Sequence, residues 1–245
     1  MRPDPPRKPL LTPRLSGAAG LAAVVVVLGG SIAAMVMHPG YSPLRHYVSQ
    51  LATRANPGHW FFDGGLMVGG VLVSLFSKGL GTLVSDPNGT RASWLGVTAG
   101  GAMVLVAIFP LTLPVAHFGC AFVLFAAAIF ATLFVGLGLG GMARSSDRPR
   151  PLRVGGRVLV GVFGFMVLMS VAGFVHTGIA YRHVTSKTPA AVLKELPLHQ
   201  SVALGGVTIN PVAMQEWVFL FLAMGLVLAG SILCLRRRPH RRETR

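Results

Sequence analysis

Asp63, His117, His176 and Glu216 are the side chains best placed to do chemistry in this chain. Each falls within a turn or two of the end of a long apolar run. An ionisable group costs ~2.5–3.5 kcal/mol at the centre of a membrane and less toward its edge, so it ordinarily faces other helices and has a use there. Two carboxylates and two imidazoles are a ligand set for a divalent metal such as zinc, and equally a general acid–base pair. They are also the polar lining of a ligand pocket, with Ser49, in the loop before the second run, as a further member. Plainer roles are open to all of them. Asp63 and Glu216 stand in first turns, where a carboxylate meets free amides and the helix dipole. His117 can cap a tight hairpin, and His176 can bond a carbonyl at a helix end. No HxxxH or HExxH spacing supports a metal, and Ser49 lies in no GxSxG turn.

Membrane spans must position these groups. Of 245 residues, 52% are hydrophobic and only 12% charged, about half the ~25% of a soluble domain, and the mean hydropathy is +0.64. Six runs reach the ~20 apolar residues that cross a ~30 Å hydrocarbon core. They cover about 15–37, 60–84, 92–113, 115–141, 155–179 and 212–235. The pattern predicts an all-α integral membrane bundle of six transmembrane helices over 15–235, with a disordered, proline-rich basic tail at 1–14 and a basic tail at 236–245. The first run follows basic residues, as a signal peptide does. It is longer than a signal core and lacks a small-x-small cleavage site, so it reads as a retained anchor. Cys120 and Cys234 fall near opposite faces, too far apart for a disulfide.

The formal charge of +15 is confined to tails and short connections, which argues against nucleic acid as a partner. Residues 1–14 hold four of the 22 lysines and arginines, Lys78 and Arg91 two, 144–157 five and the last ten residues six; Arg45, Arg54, Arg182, Lys187 and Lys194 make up the other side. The positive-inside rule then puts both termini in the cytoplasm of a plasma membrane. The inner clusters attract anionic headgroups at ~1 kcal/mol per basic residue. All histidines except His240 fall on the outer side.

Two longer outer loops remain. In the first, Ser42-Pro43 is a helix start, and Leu44, Tyr47, Val48 and Leu51 share one face, which predicts a short interfacial helix over 43–52. In the second, Thr188-Pro189 predicts another, ending near Leu196-Pro197. Glycine pairs four apart, Gly65/Gly69, Gly96/Gly100 and Gly136/Gly140, let helices approach closely in lipid, either within one bundle or in a dimer. Polar groups near the midplane are too few for an ion-coupled carrier.

Tyr41-Ser-Pro followed by Val48-Ser-Gln-Leu51, Asn56-Pro57 before a Phe-rich span with Gly64-Gly65, the Phe109-Pro110 ending and His117 opening the next span resemble the uncharacterised bacterial membrane family known as domain of unknown function 998. Ala52 stands where that family usually has an acidic residue or glycine. The resemblance implies a polytopic fold over about 15–235 and brings no established activity. Together these readings describe a six-span protein of structural or accessory type, or one that binds a lipid or small ligand at the outer leaflet. The alternative is an intramembrane metal-dependent hydrolase or transferase acting on lipid-like substrates. The orientation is testable: single cysteines at 50 and 195 are expected to react with an impermeant thiol reagent in intact cells, and one at 147 only after permeabilisation. Labelling at 147 from outside overturns it.

Overall fold

The computed structural model describes residues 12–84, 86–111, 113–146, 149–183, 200–204 and 207–236. It contains six long helices: α1 (Pro13–Met37), α2 (His59–Leu83), α3 (Pro87–Ile108), α4 (Pro114–Met142), α5 (Pro149–Tyr181) and α6 (Pro211–Arg236). All six are long and apolar enough to cross a membrane. Five begin with proline, whose fixed φ and missing N–H suit the first helical position. Caps extend several of them past the apolar runs. Thr12 Oγ1 accepts from the Leu15 amide at 3.3 Å and Asp86 Oδ1 from Asn88 at 2.7 Å, so α3 starts five residues before the expected 92. The tail at 1–11, residues 237–245 and the helix predicted over 188–197 lie outside the described residues.

Two expectations for the loops need correction. No ten-residue α-helix forms over 43–52; a turn at 43–45 is followed by a 3-10 helix, Val48–Ala52. Tyr47 stands between them in extended backbone (φ −62°, ψ 147°), because the Tyr41 hydroxyl takes its carbonyl at 2.8 Å and removes it from any helical ladder. Of the four residues meant to share an apolar face, Val48 and Leu51 are buried, while Leu44 is exposed. The fold is all-α, with one small addition: β1 (Val202–Leu204) and β2 (Val207–Ile209) form an antiparallel hairpin before α6. Cys120 and Cys234 are not joined in a disulfide.

From α1 to α5 each helix packs on its successor, and α6 returns to lie along α1 and touch α2. The α5–α6 seam is much thinner than the others. Glycine sets the close approaches. A Cβ on Gly30 would fall on the Phe61 carbonyl oxygen of α2, one on Gly70 on the Gly100 carbonyl oxygen of α3, and one on Gly136 would come within 3.0 Å of the Gly156 carbonyl oxygen of α5. Gly65 faces the Val26 carbonyl, and Gly96 and Gly100 face serines of α2. The pairs seen in the sequence therefore join helices of one bundle. One end carries the 38–58 loop and the hairpin; the other carries Arg91, Arg144, Arg150, Arg153 and Arg157, all exposed. At this basic end Lys78 Nζ lies 3.2 Å from the centre of the Trp94 ring, a cation–π contact.

The glycine contacts give a matched test. Gly30→Ala forces α1 from α2 and is expected to destabilise by about 1–3 kcal/mol, the cost of overpacking. Gly29→Ala meets nothing within 4 Å and should be neutral or stabilising. Thermal unfolding in detergent compares the two, and equal melting temperatures would contradict the packing.

Candidate functional site

The site begins with the loop between α1 and α2. Asn56, wholly buried, holds it down: Nδ2 donates to Ala34 O at 3.2 Å and Leu51 O at 3.0 Å, and Oδ1 accepts from the Gly58 amide at 2.9 Å. Gly40 turns the chain at φ +73°, in the left-handed region that favours glycine. Beyond it the Tyr41 ring stacks on His46, centroids 5.2 Å apart, and meets Trp217 of α6 edge-on. Burial raises the Tyr41 phenol well above its ordinary value and pushes Tyr47 up to about 12, so both stay protonated as donors. From the other side, the Asn210 amide donates to Leu44 O at 2.7 Å, while Asn210 Oδ1 caps α6 through the amides of Val212 and Ala213 at 3.1 and 3.2 Å. The loop is thereby tied to both α1 and α6.

This clamp sets the Val48–Ala52 turn over Glu216. The Ser49 amide and hydroxyl each donate to Glu216 Oε2 at 3.4 Å. Glu216 is thus met by donors from a distant loop rather than by the free amides of its own helix. His117 is almost wholly buried, with Nδ1 at 2.7 Å from Phe109 O at the end of α3. A carbonyl only accepts, so Nδ1 carries hydrogen, and in the neutral ring Nε2 is then the acceptor.

Ser49, His117 and Glu216 line one chamber of about 120 Å³, whose other walls are apolar. A second cavity of about 580 Å³ runs from it toward the basic end and is almost entirely apolar, with Ser77, Thr132 and Arg236 as its polar lining residues. Met103, Leu124, Ala128, Met166, Ala223 and Met224 belong to both walls, so the two spaces adjoin. The thin seam explains the larger one. Toward the loop end α5 and α6 touch, Met166 packing on Phe219 and Gly173 on Gln215. Toward the basic end Leu159 of α5 and Leu226 of α6 line the cavity instead.

The other two expected members are elsewhere. His176 Nε2 lies 3.0 Å from Gln200 O, the helix-end carbonyl role, and Gln200 Nε2 in turn donates to Thr177 Oγ1 at 2.9 Å. Asp63 Oδ1 is buried without a hydrogen-bond partner and neither chamber wall includes it. Of the four, His117 and Glu216 line this chamber and Asp63 and His176 do not. Phe62, the residue before Asp63 on α2, does line it, and successive side chains of a helix leave it about 100° apart. Among the described residues no group of three or more His, Cys, Asp or Glu is gathered to hold a metal ion. Asn56 and Asn210, on which the geometry depends, were not singled out as site residues, although Asn210-Pro211 is a readable cap signal.

A family model described as "Protein of unknown function (DUF998)" matches residues 19–186. The match takes in Ser49 and His117 and ends before Glu216. No curated protein and no solved structure matches the chain.

The loop over the site is expected to respond to pH through His46. His46 Nδ1 accepts the Ser42 amide at 2.9 Å, which needs a deprotonated ring nitrogen. Burial first, then the charges of His38 and Arg45, hold this imidazole below its ordinary value of 6.5, against an opposing bond to Ser42 O. The folded loop therefore binds fewer protons than the unfolded chain in that window. The stabilisation is present above pH 6.5 and is lost as pH falls through the lower folded value. Amide exchange in 42–52, corrected for intrinsic rates, is expected to speed up between pH 8 and pH 5, and to be flatter in His46→Gln. Equal pH dependence in the two proteins contradicts the role of His46.

Proposed function

The chain belongs to the family of proteins of unknown function DUF998, and we propose that it binds an amphipathic, lipid-like molecule inside its helix bundle. The single observation that carries this is the junction of a small chamber bearing Ser49, His117 and Glu216 with an apolar cavity of about 580 Å³. Protein interiors are close-packed, and a concave apolar space of roughly 300–1,000 Å³ with a few convergent polar groups is the usual form of a ligand site. Polar groups cluster at the chamber end, which suits a molecule with one polar head and one apolar tail. In this reading the protein lies in a bacterial plasma membrane with both termini cytoplasmic and the chamber at the outer leaflet. The 17-to-5 division of lysine and arginine supports that orientation. The exposed arginines of the basic end then meet anionic headgroups of the inner leaflet.

Ala128 lies in the shared wall and gives the test. Native mass spectrometry of protein purified in mild detergent is expected to show a retained lipid. Ala128→Phe fills the junction and should lower occupancy by about tenfold, equivalent to ~1.4 kcal/mol and within the ~1–3 kcal/mol cost of overfilling a packed site. The reading fails if the wild-type protein carries no lipid, or if the folded variant carries as much.

A further inference from the structure

We infer that the molecule held in this cavity is a single-chain lipid whose head is hydroxylated and free of phosphate, seated with its hydroxyls at Glu216 and His117 and its chain pointing to the basic end. This rests on the amphipathic-ligand reading and specifies the chemistry of the head.

The chamber is a site of acceptors. A carboxylate offers about four lone-pair positions, and among the described residues Glu216 receives two hydrogen bonds, from the amide and the hydroxyl of Ser49. Both Ser49 bonds are long, at 3.4 Å, so they leave the carboxyl under-satisfied and open to a better donor. His117 presents its second nitrogen as an acceptor, because Phe109 O occupies Nδ1. The Ser49 hydroxyl, which could otherwise donate to a ligand, already points at Glu216. Among the described residues no lysine or arginine lines the chamber. A phosphate or carboxylate head would therefore sit beside an acidic side chain in an apolar surround with no cation to pair it, the costliest way to bury an anion. A diol reverses every sign: one hydroxyl reaches Glu216 and another His117.

The cavity's shape fixes the rest. On α6 its lining runs from Ala223 to Arg236, thirteen steps at 1.5 Å, or about 20 Å. Half of a ~30 Å hydrocarbon core is ~15 Å, so the space takes one extended chain of membrane length. Among the described residues the only cation on either wall, Arg236, stands at the far end of that length, beyond reach of a head at Glu216.

Monoacylglycerol and lysophosphatidate with the same chain differ only by the phosphate and form the probe pair. Equilibrium binding of the radiolabelled lipids to the full-length protein in detergent is expected to favour monoacylglycerol by at least about tenfold. Glu216→Gln, which exchanges an acceptor for a donor at constant size, should cut that preference several-fold. Equal binding, tighter binding of lysophosphatidate, or an unchanged preference in Glu216→Gln overturns the assignment. If neither probe binds while purified protein still carries a lipid, the head chemistry is wrong and the ligand reading stands. If neither binds and no lipid is retained, both fall.

Discussion

A carboxyl group withdrawn from water has to be met by donors, and the loop end of this bundle is arranged around that demand at Glu216. The donors come from the Val48–Ser49 turn, more than 160 residues away in the chain. For the turn to arrive there, Asn56 must pin it to α1 and Asn210 must bind it to the start of α6. Removing either asparagine leaves buried carbonyls or amides without partners, each costing ~1–3 kcal/mol. The site is thus a by-product of polar satisfaction in an apolar surround, where every missing bond is expensive.

The seams of the bundle solve packing differently. On the α1–α2–α3 side, glycines bring backbones together until a single added methyl would strike a carbonyl. Glycine does the same between α4 and α5, at Gly136 and Gly156, whereas at the α5–α6 seam long side chains meet at the loop end and separate below it. Close packing at the glycine contacts gives a rigid frame, and looser packing at the thin seam gives a cavity wall.

Much of this was legible in the residues. Apolar runs longer than the hydrocarbon thickness leave a helix as the only way to satisfy the backbone, so six spans follow from composition and length alone. Proline stands at the first helical position of α3 and α6, although the apolar run of α3 begins only near 92. His117 and Glu216 stood out because a titratable group in an apolar run is rare. The interfacial helix was misjudged because its periodicity was local, whereas the Tyr41 hydroxyl that takes the Tyr47 carbonyl comes from outside that window.

By itself, then, the sequence determined the number of spans, the asymmetry of charge and the depth at which ionisable groups sit, since these depend on distance along the chain and on transfer from water. Only the tertiary structure decided which of those groups meet. Asp63 and Glu216 occupy corresponding early turns of two helices, yet one faces the Ser49 turn and the other does not. The difference is rotation about the helix axis and the order in which helices pack, and neither is written in the spacing of any single element.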